Sequence, residues 1–173
     1  VKQTTTRSIA HIAMGAALIA VLSQISIPIG PVPFTLQTLA IGLLASLYPL
    51  KETIASICFY LLVGAIGLPV FAGFSGGFAA LVSPTAGFLW GFLAYGAITA
   101  ILVNHKEQAI WIFLANLLGD STCFLIGVFV FRIISQATWA DTLAWTTIPF
   151  LLPDLAKITL VTIIRPTLKK VLK

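Results

Sequence analysis

Charge is what this sequence has least of. Of its 173 residues 9% are charged, against roughly 25% in a soluble domain. The acids number five: Glu52, Glu107, Asp120, Asp141 and Asp154. Hydrophobic residues make up 59% and the mean hydropathy is +1.07. A water-soluble globule of this size has too little interior to hide that much apolar side chain. Intrinsic disorder fails for the same reason. Cysteine and histidine are also scarce, with Cys58, Cys123, His11 and His105 the full set. The two cysteines read as small, buried apolar residues on helices, and no metal centre or cofactor is expected. No G-x-x-x-x-G-K-[ST] phosphate loop occurs, so these residues do not hydrolyse ATP by that route. Paired broken helices of a secondary transporter and carbonyl filter loops of a channel are missing too. What remains is a single membrane domain over 1–173.

Two stretches, 8–50 and 53–105, contain no Asp, Glu, Lys or Arg. A spanning helix needs about 20 apolar residues, so each stretch holds two spans and a turn. The first breaks at the proline-rich run 28–33 and the second at the glycine-rich run 67–84. With two later apolar segments, the expected fold is an all-α compact bundle of six transmembrane helices. They are expected near 8–27, 34–49, 52–67, 84–104, 108–135 and 150–171. Six spans bring both termini to one side. The arms and turns of that side hold Lys2, Arg7, Lys51, Lys106, Lys169, Lys170 and Lys173, while the opposite connections hold only Asp141. The positive-inside rule then makes both termini cytoplasmic. The net charge of +5 is thus a topology signal and implies no nucleic-acid partner.

Ionisable groups inside a bilayer are functional candidates because they are costly there. They are Asp120 and Arg132 on the fifth helix, and Asp154, Lys157 and Arg165 on the sixth. At about 1.5 Å of rise per residue, Asp120 lies roughly 18 Å above the cytoplasmic edge. Lys157 lies roughly 12 Å below the outer edge of a core about 30 Å thick. The two meet at one depth. Asp154 shares the face of Lys157 at i, i+3, and Asn116 shares the face of Asp120 one turn below. Two facing helices thus place Asn116, Asp120, Asp154 and Lys157 around one cavity in the outer half of the bundle. A lysine suits a solute carboxylate, and a carboxylate or amide suits N–H donors. A salt bridge that only holds helices together is the competing reading. Arg132 and Arg165 are expected to snorkel to the two interfaces.

On the first helix, Ala13, Ala16, Ala17 and Ala20 form small-xxx-small pairs that admit a second helix, either within this bundle or on a partner. Gly73-Phe74-Ser75-Gly76-Gly77 matches the G-x-S-x-G of a hydrolase elbow. However, His11 and His105 fall at the cytoplasmic edge and Ser75 on the outer side, beyond hydrogen-bond reach. The glycines read better as a loop that packs tightly or approaches a ligand closely.

Four separated runs resemble the BioY family, the biotin-specific substrate-binding (S) components of energy-coupling factor (ECF) transporters. They are 31–39 (PVPFTLQTL), 64–73 (GAIGLPVFAG, followed by Gly76-Gly77), 83–88 (SPTAGF) and 149–157 (PFLLPDLAK). Ser83, Ala86 and Phe88 depart from the family's G-P-T-G-G-Y. The resemblance implies a multi-pass protein of the bacterial cell membrane that binds biotin at an extracellular-facing pocket. It implies partnership with a transmembrane coupling protein (T component) and two ABC-type ATPases, docked through the alanine face of helix one. It implies a lid over 26–34 and a binding pair in Asp154 and Lys157. The expected substrate-binding set is Asp154, Lys157, Asp120, Asn116, Phe34, Gln37, Gly73, Ser75 and Gly76. In the expected mechanism Asp154 accepts the ureido N–H groups and Lys157 or a neighbouring donor meets the carboxylate, or the reverse. The competing class is a stand-alone secondary carrier for biotin or a similar small carboxylate, with Asp120 as its proton group.

Overall fold

The structure, a computed structural model, describes residues 2–104 and 106–171. His105 and Lys173, assigned above to the cytoplasmic side, lie outside the described residues. The elements are α1 (Lys2–Gln24), β1 (Ser26–Ile27), β2 (Phe34–Thr35), α2 (Gln37–Leu47), α3 (Leu50–Ala65), α4 (Ala86–Val103), α5 (Ala109–Ser135), α6 (Trp139–Thr146) and α7 (Leu151–Val171). Two short 3₁₀ turns, Ala72–Phe74 and Phe78–Val82, shape the loop between α3 and α4.

The expected helices are present, with three corrections. Helix α2 has 11 residues, about 16 Å of helix, and does not fill 34–49. Its N-terminal end is displaced because Phe34 and Thr35 pair with Ile27 and Ser26 in an antiparallel hairpin. Its other end stops at Tyr48, before Pro49, where the pre-proline residue is driven to extended backbone. Second, the connection 136–149 contains α6, started by a Thr138 side-chain cap on the Asp141 amide. Third, Cys58 on α3 is exposed, and only Cys123 is buried. Among the described residues, four segments are long and apolar enough to cross a membrane: Thr6–Gln24, Ala86–Val103, Ala109–Ser135 and Trp139–Lys170.

Close backbone approach at glycine draws the bundle together. The most extensive helix pair is α4 with α5, where a Cβ at Gly91 would stand 3.0 Å from the Cys123 carbonyl oxygen. Gly42 lies where α2, α4, α5 and α7 meet. A Cβ there would be 2.7 Å from both Asn116 Oδ1 and the Tyr95 hydroxyl, and 3.2 Å from Val161. Leucine at position 42 is expected to lower stability by about 1–3 kcal/mol through overpacking, read as a lower thermal midpoint in a fixed detergent.

Arg165 does not snorkel. It is 3% exposed, and its Nε and Nη2 donate to the Ser46 and Lys106 carbonyls at 3.0 and 3.1 Å. Its Nη1 stands 3.8 Å from Glu107, which also pairs with Lys169. One side chain thereby ties α7 to the ends of α2 and of the α4–α5 turn. Arg132 lies over the Trp139 ring at 5.7 Å.

Candidate functional site

The polar centre of the site is built on the first turns of α7. Pro149 lies in the hydrogen-bonded turn 147–150 that leads into the helix, and Pro153 falls in the first helical turn, where no intrahelical donor is lost. Asp154 and Lys157 then project from one face, 2.7 Å apart. Both are buried, at 4% and 7% exposure. The Lys157 ammonium donates to Asp154 Oδ1 (2.7 Å), the Thr35 carbonyl (2.7 Å) and Thr38 Oγ1 (3.0 Å). It also lies 4.2 Å above the Phe34 ring. Thr38 Oγ1 donates to Asp154 Oδ1 at 3.2 Å. Alongside, Thr35 Oγ1 donates to Gln37 Oε1 (2.9 Å), and Gln37 Nε2 donates to the Tyr60 hydroxyl (2.5 Å). The pair therefore joins α7 to β2 and the first turn of α2.

Above this centre lies a cavity of about 220 Å³. Phe71, Phe88, Leu89, Phe92, Phe124 and Phe150 supply its apolar wall. Its polar lining is Thr35, Gln37, Thr38, Ser75, Thr85, Asp154 and Lys157. The hairpin residues Pro31, Val32 and Pro33 close one side. The 68–85 loop closes another and is tied to the end of α1. Ser23 Oγ donates to the Val70 carbonyl at 2.6 Å, and Gln24 Oε1 accepts from the Phe74 amide at 2.9 Å. Phe71, 2% exposed, anchors the loop against Tyr60 in an edge-on contact at 5.4 Å.

Of the expected residues, Asp154, Lys157, Gln37 and Ser75 line this cavity. Phe34 lies just behind, under the Lys157 ammonium and stacked on Phe150 at 6.4 Å. Gly73 and Gly76 shape the loop and do not line the cavity. Gly73 has a φ of 66°, which favours glycine, and a Cβ at Gly76 would collide with the Leu68 carbonyl. The expectation of one cavity shared with Asn116 and Asp120 is not met. Asn116 is fully buried below it, donating to Ser46 Oγ (3.0 Å) and the Ile112 carbonyl (2.8 Å) and accepting from Tyr95 (3.2 Å). Asp120 lines a second cavity of about 390 Å³ between α5, α6 and α7. Asp154, Phe124 and Phe150 border both. Equal depth brought Asp120 level with the pair, but its direction around α5 turns it to the far side of Phe124.

Thr35, Thr38, Thr85, Tyr60 and the phenylalanines of α4 and α5 join the site without belonging to the expected set. Thr38 stood inside the quoted 31–39 run, and its spacing after Thr35 was the one available signal. Among the described residues, no three His, Cys, Asp or Glu side chains gather in a metal-binding group. His11 pairs with Glu52 at 2.7 Å and stacks on Tyr48 at 4.7 Å. Burial and then the Glu52 carboxylate push the Tyr48 phenol above its ordinary range. The loop of Ser75 contacts α1 at Gln24, 13 residues or about 20 Å from His11, so no hydrolase pair forms there.

The alanine face of α1 divides in two. Ala13 and Ala17 are exposed, whereas Ala16 is 6% exposed in the core and Ala20 packs against it. A Cβ at Gly15 would stand 2.9 Å from Ser56 Cβ on α3, so this side is the intramolecular one.

A sequence model described as the BioY family matches residues 1–173. A protein of Lactococcus lactis subsp. cremoris (strain MG1363), "Biotin transporter BioY2", is 42% identical over 163 residues, covering 94% of this chain and 90% of its own. "Biotin transporter BioY" of Thermotoga maritima is 38% identical over 155 residues, covering 89% and 90%. The fold matches a crystal structure of "the S-component for biotin from an ECF-type ABC transporter" with a TM-score of 0.90. That match has 24% identity and covers 98% of this chain and 94% of the other.

Proposed function

This chain belongs to the BioY family, and we propose that it takes up biotin as the substrate-binding component of an ATP-driven transporter in the bacterial cell membrane. The observation that carries this reading is the buried Asp154–Lys157 pair at the floor of an aromatic cavity, in a chain 42% identical to a biotin transporter over nearly its whole length. The fused rings of biotin suit the phenylalanine walls. Asp154 Oδ1 is held by Lys157 and Thr38, while Oδ2 has no partner among the described residues. Oδ2 is therefore the acceptor available for a ureido N–H. The three N–H donors of Lys157 are all engaged. The carboxylate is met instead by Thr85, which lines the cavity at the start of α4.

Both termini are cytoplasmic in this proposal, and the hairpin 26–35 faces outward as the lid. Energy comes from a T component and two ABC-type ATPases, in keeping with the missing phosphate loop. The exposed Ala13 and Ala17 offer a docking face on which a partner helix can approach closely. Calorimetric titration of the purified chain with biotin is expected to show one saturable site; a flat titration would exclude the reading. In proteoliposomes the chain alone is expected to bind biotin without sustained uptake. Gradient-driven accumulation would favour a stand-alone carrier instead. Ala17→Trp is expected to abolish co-purification with the coupling subunits while leaving biotin binding within about twofold, since surface changes usually alter stability by at most ~0.5 kcal/mol. Normal recovery would move the docking face elsewhere.

A further inference from the structure

We propose that Thr38 is a specificity-determining positioning residue, whose hydroxyl fixes which oxygen of Asp154 is left for the ligand. The inference rests on the biotin-binding reading and extends it. An ammonium has three N–H donors, and Lys157 has three acceptors: Asp154 Oδ1, the Thr35 carbonyl and Thr38 Oγ1. A hydroxyl carries one donor and two lone pairs. Thr38 directs its donor to Asp154 Oδ1 and accepts from Lys157. The three groups close a ring in which both donors converge on one carboxylate oxygen.

Two consequences follow for recognition. Oδ2 of a carboxylate 4% exposed is left without a partner among the described residues, in a residue that lines the cavity. A buried acceptor without a donor is unfavourable, so the site is organised to receive an N–H. Conversely, Lys157 has no donor left, and a ligand oxygen reaches it only by displacing Thr35, Thr38 or Asp154. The site therefore selects for N–H donors at this position. That selectivity depends on Thr38. Without its hydroxyl, Lys157 regains a free N–H and the carboxylate loses the contact that sets its rotation. A valine keeps the β-branched shape at this position and removes only the hydroxyl's hydrogen-bonding capacity.

The test titrates the purified full chain with biotin and with a biotin analogue methylated on one ureido nitrogen. In the unmodified protein the methylated analogue is expected to bind tenfold or more weakly, since a hydrogen bond to a charged group is lost. Thr38→Val is expected to weaken biotin about tenfold and to bring the ratio of the two affinities towards one. Thr38→Ser, which keeps the hydroxyl, is expected to restore both. Should the valine variant not fold, Thr38→Ala is read in the same way. A structural role alone would weaken both ligands equally, so an unchanged ratio in the valine or alanine variant overturns the role of Thr38. Failure of the unmodified protein to bind biotin overturns the proposed function itself.

Discussion

Asp154→Asn is expected to lower biotin affinity by at least about 50-fold while the protein remains folded. The amide keeps the size of the carboxylate but removes its charge and one of its two acceptor oxygens. Turned one way, it presents an N–H to the cavity where the ligand also brings an N–H. Turned the other way, it points an N–H at the Lys157 ammonium, 2.7 Å away in the native pair. Losing a charge-assisted hydrogen bond costs about 1.5–3 kcal/mol, and an unsatisfied buried group adds about 1–3 kcal/mol. At 1.4 kcal/mol per decade this gives the stated loss. Removing the pair as a unit separates binding from folding. Asp154→Leu with Lys157→Met replaces two buried charges by apolar groups, a change that is often neutral or stabilising. The double variant is expected to keep a near-native thermal midpoint and to bind no biotin. Lys157→Met alone leaves an uncompensated buried carboxylate, and a loss of about 3–5 kcal/mol is expected. Near-native biotin affinity in Asp154→Asn would remove Asp154 from the site.

The second large effect is expected at the other end of α7. Arg165→Met removes the donors for the Ser46 and Lys106 carbonyls, leaving two backbone acceptors without partners. The expected loss is about 2–4 kcal/mol, seen as a lower thermal midpoint. Arg165→Lys recovers only part of it, because an ammonium cannot reproduce the planar fork that reaches two carbonyls at once. Lys157 lies eight residues earlier on the helix, about 12 Å away. Biotin affinity of the folded Arg165→Met protein is accordingly expected to match that of the unmodified chain. A matched thermal midpoint would show that Arg165 contributes no net stability.

Much of the bundle was legible because bilayer energetics act mainly along one axis. The uncharged stretches 8–50 and 53–105, broken by proline- and glycine-rich runs, locate the first four helices. Where a tertiary contact competes, the structure departs from the local pattern. Phe34 falls at the start of the apolar run that reads as the second span, yet it and the β-branched Thr35, which favours a strand, pair across to β1. Residues 139–146 read as a loop but form α6 once Thr138 caps it. The alanine run was legible as a close-packing surface, but Ala16 and Ala20 belong to this bundle and only Ala13 and Ala17 are exposed. At the site, the i, i+3 spacing of Asp154 and Lys157 joined two residues of one helix, which local geometry can do. Asn116 and Asp120 required knowing how α5 is rotated. A few tens of degrees about its axis decide whether a side chain meets α7's polar pair, Tyr95 or the α6 groove.

By itself the sequence determined membrane residence, the number of principal helices, the asymmetry of their basic ends and the pairing of two charged residues on one face of the last helix. These depend on transfer energies and on a fixed rise per residue, both read in order along one chain. The tertiary structure alone decided that Thr35 and Thr38 saturate Lys157, that one buried oxygen of Asp154 has no partner among the described residues, and that Asp120 faces another cavity. Those outcomes depend on helix rotation and on contacts between α7 and residues more than a hundred positions earlier, which no local spacing encodes.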